Sequence, residues 1–455
     1  MTGRVFCLVC CLCAALAAHA ESSEESSLAG QWVGMFKSTD GEQHFELELA
    51  YEGDALQGIL IPVEEGGGRI PADAVDFEDG VISVTARQGA VVLEARVAGD
   101  EMEGTANLPG GEMSMLLARK GSSRARTILD DFERRLSEMR GQPLELVRSG
   151  PGMDAVDDDA LNELLQAAEA SYTTSLALMH DGELVGEWYR GDQPEPVHAM
   201  SVTKAVLHLV IGRLITLGKL ESTDTPVHHF YSQWAEDEQR AAITIRHLLA
   251  HTSGVDRGQP ATPIYQSGDF VQFALNAPLE FEPGTEMVYS NNATNVLGGI
   301  VGQVIDGPLD EFLAEDLFGR LGIDNFNWGA DPAGNPVGMA GLHLTAGDLV
   351  LLGQLVLNRG RWQDEQLIEA EWFEQSFVPG SEHSERIGLI WLLEQSNDQV
   401  VGAHHDGYLG QWLGVRFEER LVGARMIANS MAYDPETDRF LDFLEYLPPL
   451  VNSGD

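Results

Sequence analysis

The chain has 455 residues, enough for two or three domains with sizeable cores, and its 28 Lys and Arg against 72 Asp and Glu leave a formal net charge of −44. That balance argues against nucleic acid or an anionic lipid surface as a partner. Only four lysines occur, Lys37, Lys120, Lys204 and Lys219, and such a composition suits a halophilic or marine source and an ordinary acidic exported protein equally well.

The first twenty residues, MTGRVFCLVCCLCAALAAHA, carry one Arg, an apolar run from Val5 to about Ala18, and Ala18-His19-Ala20 before the polar ESSEESS. This is the layout of a secretory signal peptide spanning 1–20 and cut after Ala20, so the expected location is exported, periplasmic or extracellular. The run is short for a membrane span, and no later stretch offers about 20 uncharged apolar residues, so stable membrane insertion of the mature chain is not expected. Cys7, Cys10, Cys11 and Cys13 all lie in this leader. A mature chain without them has no disulfides, thiolate metal sites or cysteine nucleophile.

Residues 21–121 read as short strands. FELEL (Phe45 to Leu49) alternates apolar and acidic, and VISVT, VVLEARV and MSMLLAR follow at intervals of about ten residues. A small all-β barrel or sandwich is predicted. GDALQG (Gly53 to Gly58) recurs as GDEMEG (Gly99 to Gly104), each suited to a tight turn, and Gly30-Gln31-Trp32 resembles the Gly-x-Trp opening of lipocalin-like barrels, with the Trp plugging one end. Within a linker segment, 122–146, Ile128, Leu129, Phe132, Leu136 and Met139 recur at helical spacing, which predicts an amphipathic helix over Arg124 to Met139.

The segment 147–455 mixes both periods. A helix is expected around Asp159 to Ala170, then two strands, SLALMHDG and LVGEWYRG, joined at Asp181-Gly182. Strands return near Ile387 to Trp391, Tyr408 to Phe417 and Val422 to Ala428. Strands at both ends with helices between predict an α/β (α+β) domain whose antiparallel sheet is closed by its termini.

HAMSVTKAV (His198 to Val206) places Ser201 and Lys204 three apart at the head of an apolar helical run, so they share a face. A serine at a helix head lies where amides and the dipole favour negative charge, and an enclosed lysine loses its proton more easily than in water. The pair can make a nucleophile, or Ser201 can simply cap the helix. About ninety residues on, PGTEMVYSNNATNVLG supplies Tyr289-Ser290-Asn291, a phenol that a nearby ammonium would loosen and an amide able to grip a carbonyl. HHDGYLGQWLGVRF supplies His405-Asp406-Gly407, expected at the start of a strand, where the glycine allows close substrate approach.

Three such pieces in this order resemble the serine β-lactamase and penicillin-binding-protein superfamily, in particular the branch of class C β-lactamases, serine D,D-peptidases and related esterases and amide hydrolases. ITIRHLLAHTSGV, GLHLTAGDLVLLGQLVLNRGRW and IGLIW also look like its connecting segments, so the resemblance runs from about Leu146 to Leu447. It implies Ser201 as the acylated nucleophile, Lys204 as its proton partner, Tyr289 as general base and later acid, and Asn291 as a substrate-orienting residue. His405 would hold the slot of a lysine in a Lys-Thr-Gly triad and stabilise charge near Tyr289; the N–H groups of Ser201 and of Tyr408, after Gly407, would form the oxyanion hole. An exported esterase or amidase acting through an acyl-enzyme on a small ester, amide or peptide is then the first reading. A β-lactamase or D-alanyl-D-alanine carboxypeptidase is the alternative, and a non-catalytic envelope- or penicillin-binding protein is the alternative of another class. No cofactor and no metal is implied. Asp406 departs from the family's Thr, Ser or Gly: facing the pocket it would repel carboxylate substrates, and turned away by strand alternation it would not.

Other candidates are weaker. His228-His229 and His404-His405 lack metal-ligand spacing, no Gly-x-Ser-x-Gly elbow occurs, and Ser253 in HTSG reads as a turn residue. Trp391, Tyr408 and Trp412 suit either a pocket wall or the core.

Overall fold

A computed structural model describes residues 28–451 apart from 39–40, 54, 63–68, 87–90, 109–110, 192–193, 382–383, 429–432, 435–437 and 439–442. The expected leader and its four cysteines lie outside the described residues. The chain divides into two compact units, residues 1–137 and 138–455.

The first unit is a closed barrel of eight antiparallel strands: β1 (Gly30–Ser38), β2 (Gly41–Glu52), β3 (Ala55–Pro62), β4 (Ile70–Glu78), β5 (Val81–Ala86), β6 (Val91–Ala98), β7 (Glu101–Leu108) and β8 (Gly111–Arg119). Period-two patterning fills its interior with Phe45, Leu47, Leu49, Ile82, Val84, Leu93 and Leu117, all buried. Pairing of β1 with β8, Trp32 opposite Arg119, closes the sheet and removes its edges, which settles barrel against sandwich. The twin turns are where the repeated GD segments placed them: Gly53 and Gly99 sit at φ +68° and +66° between β2 and β3 and between β6 and β7. Trp32 is fully buried, donates its indole N–H to Leu28 O at 3.0 Å and lies under the Arg119 guanidinium at 4.3 Å. Helix α1 (Ser123–Gly141) lays Ala125 and Ile128 over Val33, Met35 and Ala118 on the barrel's outer face.

The second unit is a three-layer mixed fold. Its antiparallel sheet comprises β9 (Glu145–Ser149), β10 (Ser175–His180), β11 (Glu183–Tyr189), β12 (Leu392–Ser396), β13 (Gln399–Gly407), β14 (Gln411–Arg416) and β15 (Leu421–Met426), in spatial order β12-β13-β14-β15-β10-β11-β9. The early and late strands of this unit thus meet inside one sheet, where β10 pairs with β15. Strand alternation serves two cores: Ala177 and Met179 of β10 join the larger one, Leu176 and Leu178 the smaller. The smaller core includes α2 (Asp158–Glu169) and the C-terminal Phe443, Leu447 and Leu450. The larger includes α3 (Val202–Thr216), α4 (Ile245–Leu249), α5 (Asn291–Val304) and α6 (Ala346–Leu357).

Two expectations are corrected. Ile387 to Trp391 is not a strand: Ile387 makes only an isolated bridge to Leu392, Ile390 takes φ +71°, Trp391 is buried in the core, and the strand begins at Leu392. His405-Asp406-Gly407 ends a strand instead of starting one, because Leu409 at φ +67° and Gly410 at φ +78° turn the chain before β14.

Candidate active site

Helix α3 is apolar on every side and buried from Val202 to Leu214, as a helix at the centre of a domain must be. Ser201 stands at its head, after Met200 in the left-handed region at φ +49°. Its side chain makes no capping bond; instead its Oγ accepts a hydrogen bond from Lys204 Nζ at 2.9 Å. Lys204 is fully buried and donates a second bond to Met339 O at 2.6 Å. Burial disfavours the ammonium and lowers its pKa to about 7, against a smaller upward pull from Asp406. A large fraction of Lys204 is therefore neutral near pH 7, able to accept the hydroxyl proton instead of donating to the oxygen.

Ser290 caps α5 by accepting the Ala293 N–H at 3.0 Å, which fixes the residues on either side of it. On one side, the Tyr289 ring centroid lies 5.0 Å from Lys204 Nζ, and Ser201 is near enough to lower the pKa of its phenol against the effect of burial. On the other, Asn291 is buried, its amide nitrogen donating to Gly258 O at 3.3 Å. Ser201 thus bonds Lys204 and lies within electrostatic reach of Tyr289. The expected loosening of the phenol is not found: burial first, then Asp406, push the Tyr289 pKa well up, so in the resting state Lys204 is the stronger candidate to accept a proton.

The third wall is the end of β13. His405 is 2% exposed, and its Nδ1–H donates to Asp406 O at 2.7 Å. Burial, then the Lys204 charge, hold its pKa down to about 3, so it is neutral and cannot act as the fixed cation that the lysine slot implied. Asp406 falls on the opposite strand face, across from Trp412, and is solvent-exposed, yet its charge reaches both Lys204 and Tyr289. Strand alternation thus turns its side chain out to solvent, within electrostatic reach of the serine–lysine pair. A Cβ on Gly407 would come within 2.8 Å of Ala199 O and 3.2 Å of Met200 Cβ, so the missing side chain lets the strand end pack on the turn that presents Ser201. Tyr408, 58% exposed, follows at once.

The remaining candidates resolve simply. Ser253 Oγ accepts the Val255 N–H in a turn, and Trp391 is core, its indole N–H donating to His208 Nδ1 at 3.1 Å. His228 bonds Ala241 O and His404 lies 3.4 Å from a Glu394 oxygen; among the described residues no three His, Cys, Asp or Glu side chains are placed to hold a metal ion. No described helix is long and apolar enough to cross a membrane. Three contributors were missed. Met339 offers Lys204 only a carbonyl, and Asn295, whose Oδ1 accepts the Met339 N–H at 3.0 Å, holds that carbonyl in place. His251 packs its ring 4.7 Å from that of Tyr289. Backbone carbonyls carry no sequence signal, while His251 could have been found in HTSG, where only the serine drew notice.

The β-lactamase family profile matches residues 161–444 of the chain. A candidate D-alanyl-D-alanine carboxypeptidase of Escherichia coli O157:H7 is 24% identical over 330 residues, 54% of this chain and 75% of that protein. The 6-aminohexanoate-dimer hydrolase of Paenarthrobacter ureafaciens is 24% identical over 309 residues, 63% of this chain and 76% of the relative. In fold, the chain is similar to a candidate β-lactamase from Bacteroides dorei DSM 17855, with a TM-score of 0.54 at 17% identity over 65% of this chain and 99% of that structure. A family match across more than half the chain, over the segment that holds Ser201, Lys204 and Tyr289, shows that this protein belongs to the β-lactamase family of serine hydrolases.

Proposed function

We propose that the protein is an exported esterase or amidase that cleaves small neutral or cationic esters, amides or peptides through an acyl-enzyme on Ser201. The observation that carries this reading is the buried Lys204 Nζ, 2.9 Å from Ser201 Oγ, with its pKa lowered to about 7. In the first step, neutral Lys204 takes the Ser201 proton as Oγ attacks the carbonyl, forming the C–O bond. The new oxyanion is met by the N–H groups of Ser201 and Tyr408, which the Gly407 contact brings onto neighbouring backbone. Tyr289, beside the Ser201–Lys204 pair, relays the proton to the departing alkoxide or amine as the old bond breaks. Water then attacks the acyl-enzyme and returns the proton by the same route. Asn291 orients the acyl group beside the serine.

Substrate class follows from Asp406. A carboxylate within electrostatic reach of Lys204 repels penicillin-like and D-Ala-D-Ala substrates, whose own carboxylates would approach it, and neutral His405 offers no cation in compensation. Export rests on the leader at residues 1–20. A panel of p-nitrophenyl esters, nitrocefin and D-amino-acid peptides, run on wild type and Ser201→Ala, tests the reading. Ester hydrolysis lost in Ser201→Ala, with nitrocefin untouched by wild type, is expected; efficient nitrocefin turnover would overturn the substrate assignment.

A further inference from the structure

Tyr289 is gripped from one residue. The backbone N–H groups on both sides of it bond to His251: Val288 N–H to His251 O at 2.9 Å, and Ser290 N–H to His251 Nδ1 at 3.2 Å. Between these two bonds the imidazole packs on the phenol ring, centroids 4.7 Å apart and planes tilted by 39°. His251 itself is 1% exposed and left-handed at φ +57°, a conformation that histidine tolerates better than most side chains.

The proton on this ring is fixed by the same geometry. Nδ1 accepts from Ser290, so Nε2 carries the hydrogen, and that Nε2 is buried with no hydrogen-bond partner among the described residues. An unsatisfied buried donor lowers stability, and an apolar side chain of similar shape would avoid the loss. Burial, with the nearby Lys204 charge, keeps the ring neutral. A charged ring would compete with the Lys204 ammonium and could not accept from Ser290.

We infer that His251 is the positioning residue of Tyr289: its neutral imidazole holds the 288–290 backbone and the phenol ring in the one orientation from which the Tyr289 hydroxyl reaches Ser201. His251 acts through Tyr289 and touches no reacting atom. This inference rests on the proton-relay role proposed for Tyr289. It goes beyond it in assigning work to a residue that the three motifs omit.

A double-mutant cycle tests it, using Tyr289→Phe, His251→Asn and the pair. Asn keeps an acceptor and tolerates left-handed φ but removes the ring. Tyr289→Phe is expected to lower kcat by roughly 10²- to 10⁴-fold, the range for a lost proton-transfer group. His251→Asn is expected to lower kcat by about 10- to 100-fold, with KM within about twofold and no loss of thermal stability, the size of effect that misplacement alone produces. The double mutant is expected to be no slower than Tyr289→Phe, because both changes act on one group. Additive losses would overturn the inference, as would unchanged kcat in His251→Asn. An active Tyr289→Phe would instead strike down the relay role itself and the inference with it, and is read from the single mutant alone. If His251→Asn folds poorly, His251→Gln in the same cycle gives the same decision.

Discussion

Lys204 Nζ donates to Ser201 Oγ at 2.9 Å and is itself fully buried. Burial places the lysine's titration at about 7. The neutral form is the active one, so kcat/KM for a neutral ester is expected to rise with pH along a limb of midpoint near 7 and then level off. A midpoint above 9 in a pH–rate profile would contradict a depressed lysine.

The same shift has a consequence for stability. The unfolded lysine holds its proton up to about pH 10.4. Between 7 and that value the unfolded chain binds one more proton at this position, so its contribution to stability rises with pH and is at its worst below 7. Lys204→Met removes the buried ammonium. It is expected to be inactive and to melt a few degrees above wild type at pH 6, with the gap closing toward pH 10; scanning calorimetry at the two pH values checks this.

Asp406 is exposed, and its charge raises the Lys204 pKa. Asp406→Asn is expected to move the acid limb of the pH profile to lower pH. It is also expected to improve kcat/KM for a carboxylate-bearing ester by roughly fivefold to tenfold over its neutral analogue, the scale of one partly screened charge. Paired steady-state assays on the two esters measure the ratio.

Gly407→Ala is expected to cut kcat by about 10- to 100-fold, because the added Cβ meets Ala199 O at 2.8 Å and must displace the strand end from the Ser201 turn. Melting temperature should change little, since β13 ends there. Kinetics and a thermal melt on one preparation separate the two effects.

In the barrel, Trp32→Ala removes a fully buried indole together with its bond to Leu28 O and its stack under Arg119. A loss of roughly 3–5 kcal/mol of stability is expected for so large a truncation, checked by denaturant titration.

What the sequence made legible follows the range of each signal. Period-two alternation announced the barrel strands, but FELEL reads alike in a barrel and a sandwich, and only the β1–β8 pairing decides. Ser201 and Lys204 were legible because helical spacing alone brings them together. Tyr289 and His405 needed the family order of motifs, since nothing local says that residues 289 and 405 lie near residue 204. Their protonation was misjudged for one reason: burial dominates both, driving the phenol up and the imidazole down, and depth is a property of the fold. The turn at Leu409 and Gly410 was missed because Leu409 has no sequence preference for φ +67°. His251 stood in plain view in HTSG, but its role did not, because its contacts depend on the 288–290 backbone crossing it.

The most direct test is to quench a p-nitrophenyl acetate reaction during its first turnover and map the protein by mass spectrometry. A single acetyl group on Ser201 in wild type, and none in Ser201→Ala or Lys204→Met, is the expected result. Turnover with no acyl group on Ser201, or an equal adduct in Ser201→Ala, would contradict an acyl-enzyme built on the Ser201–Lys204 pair.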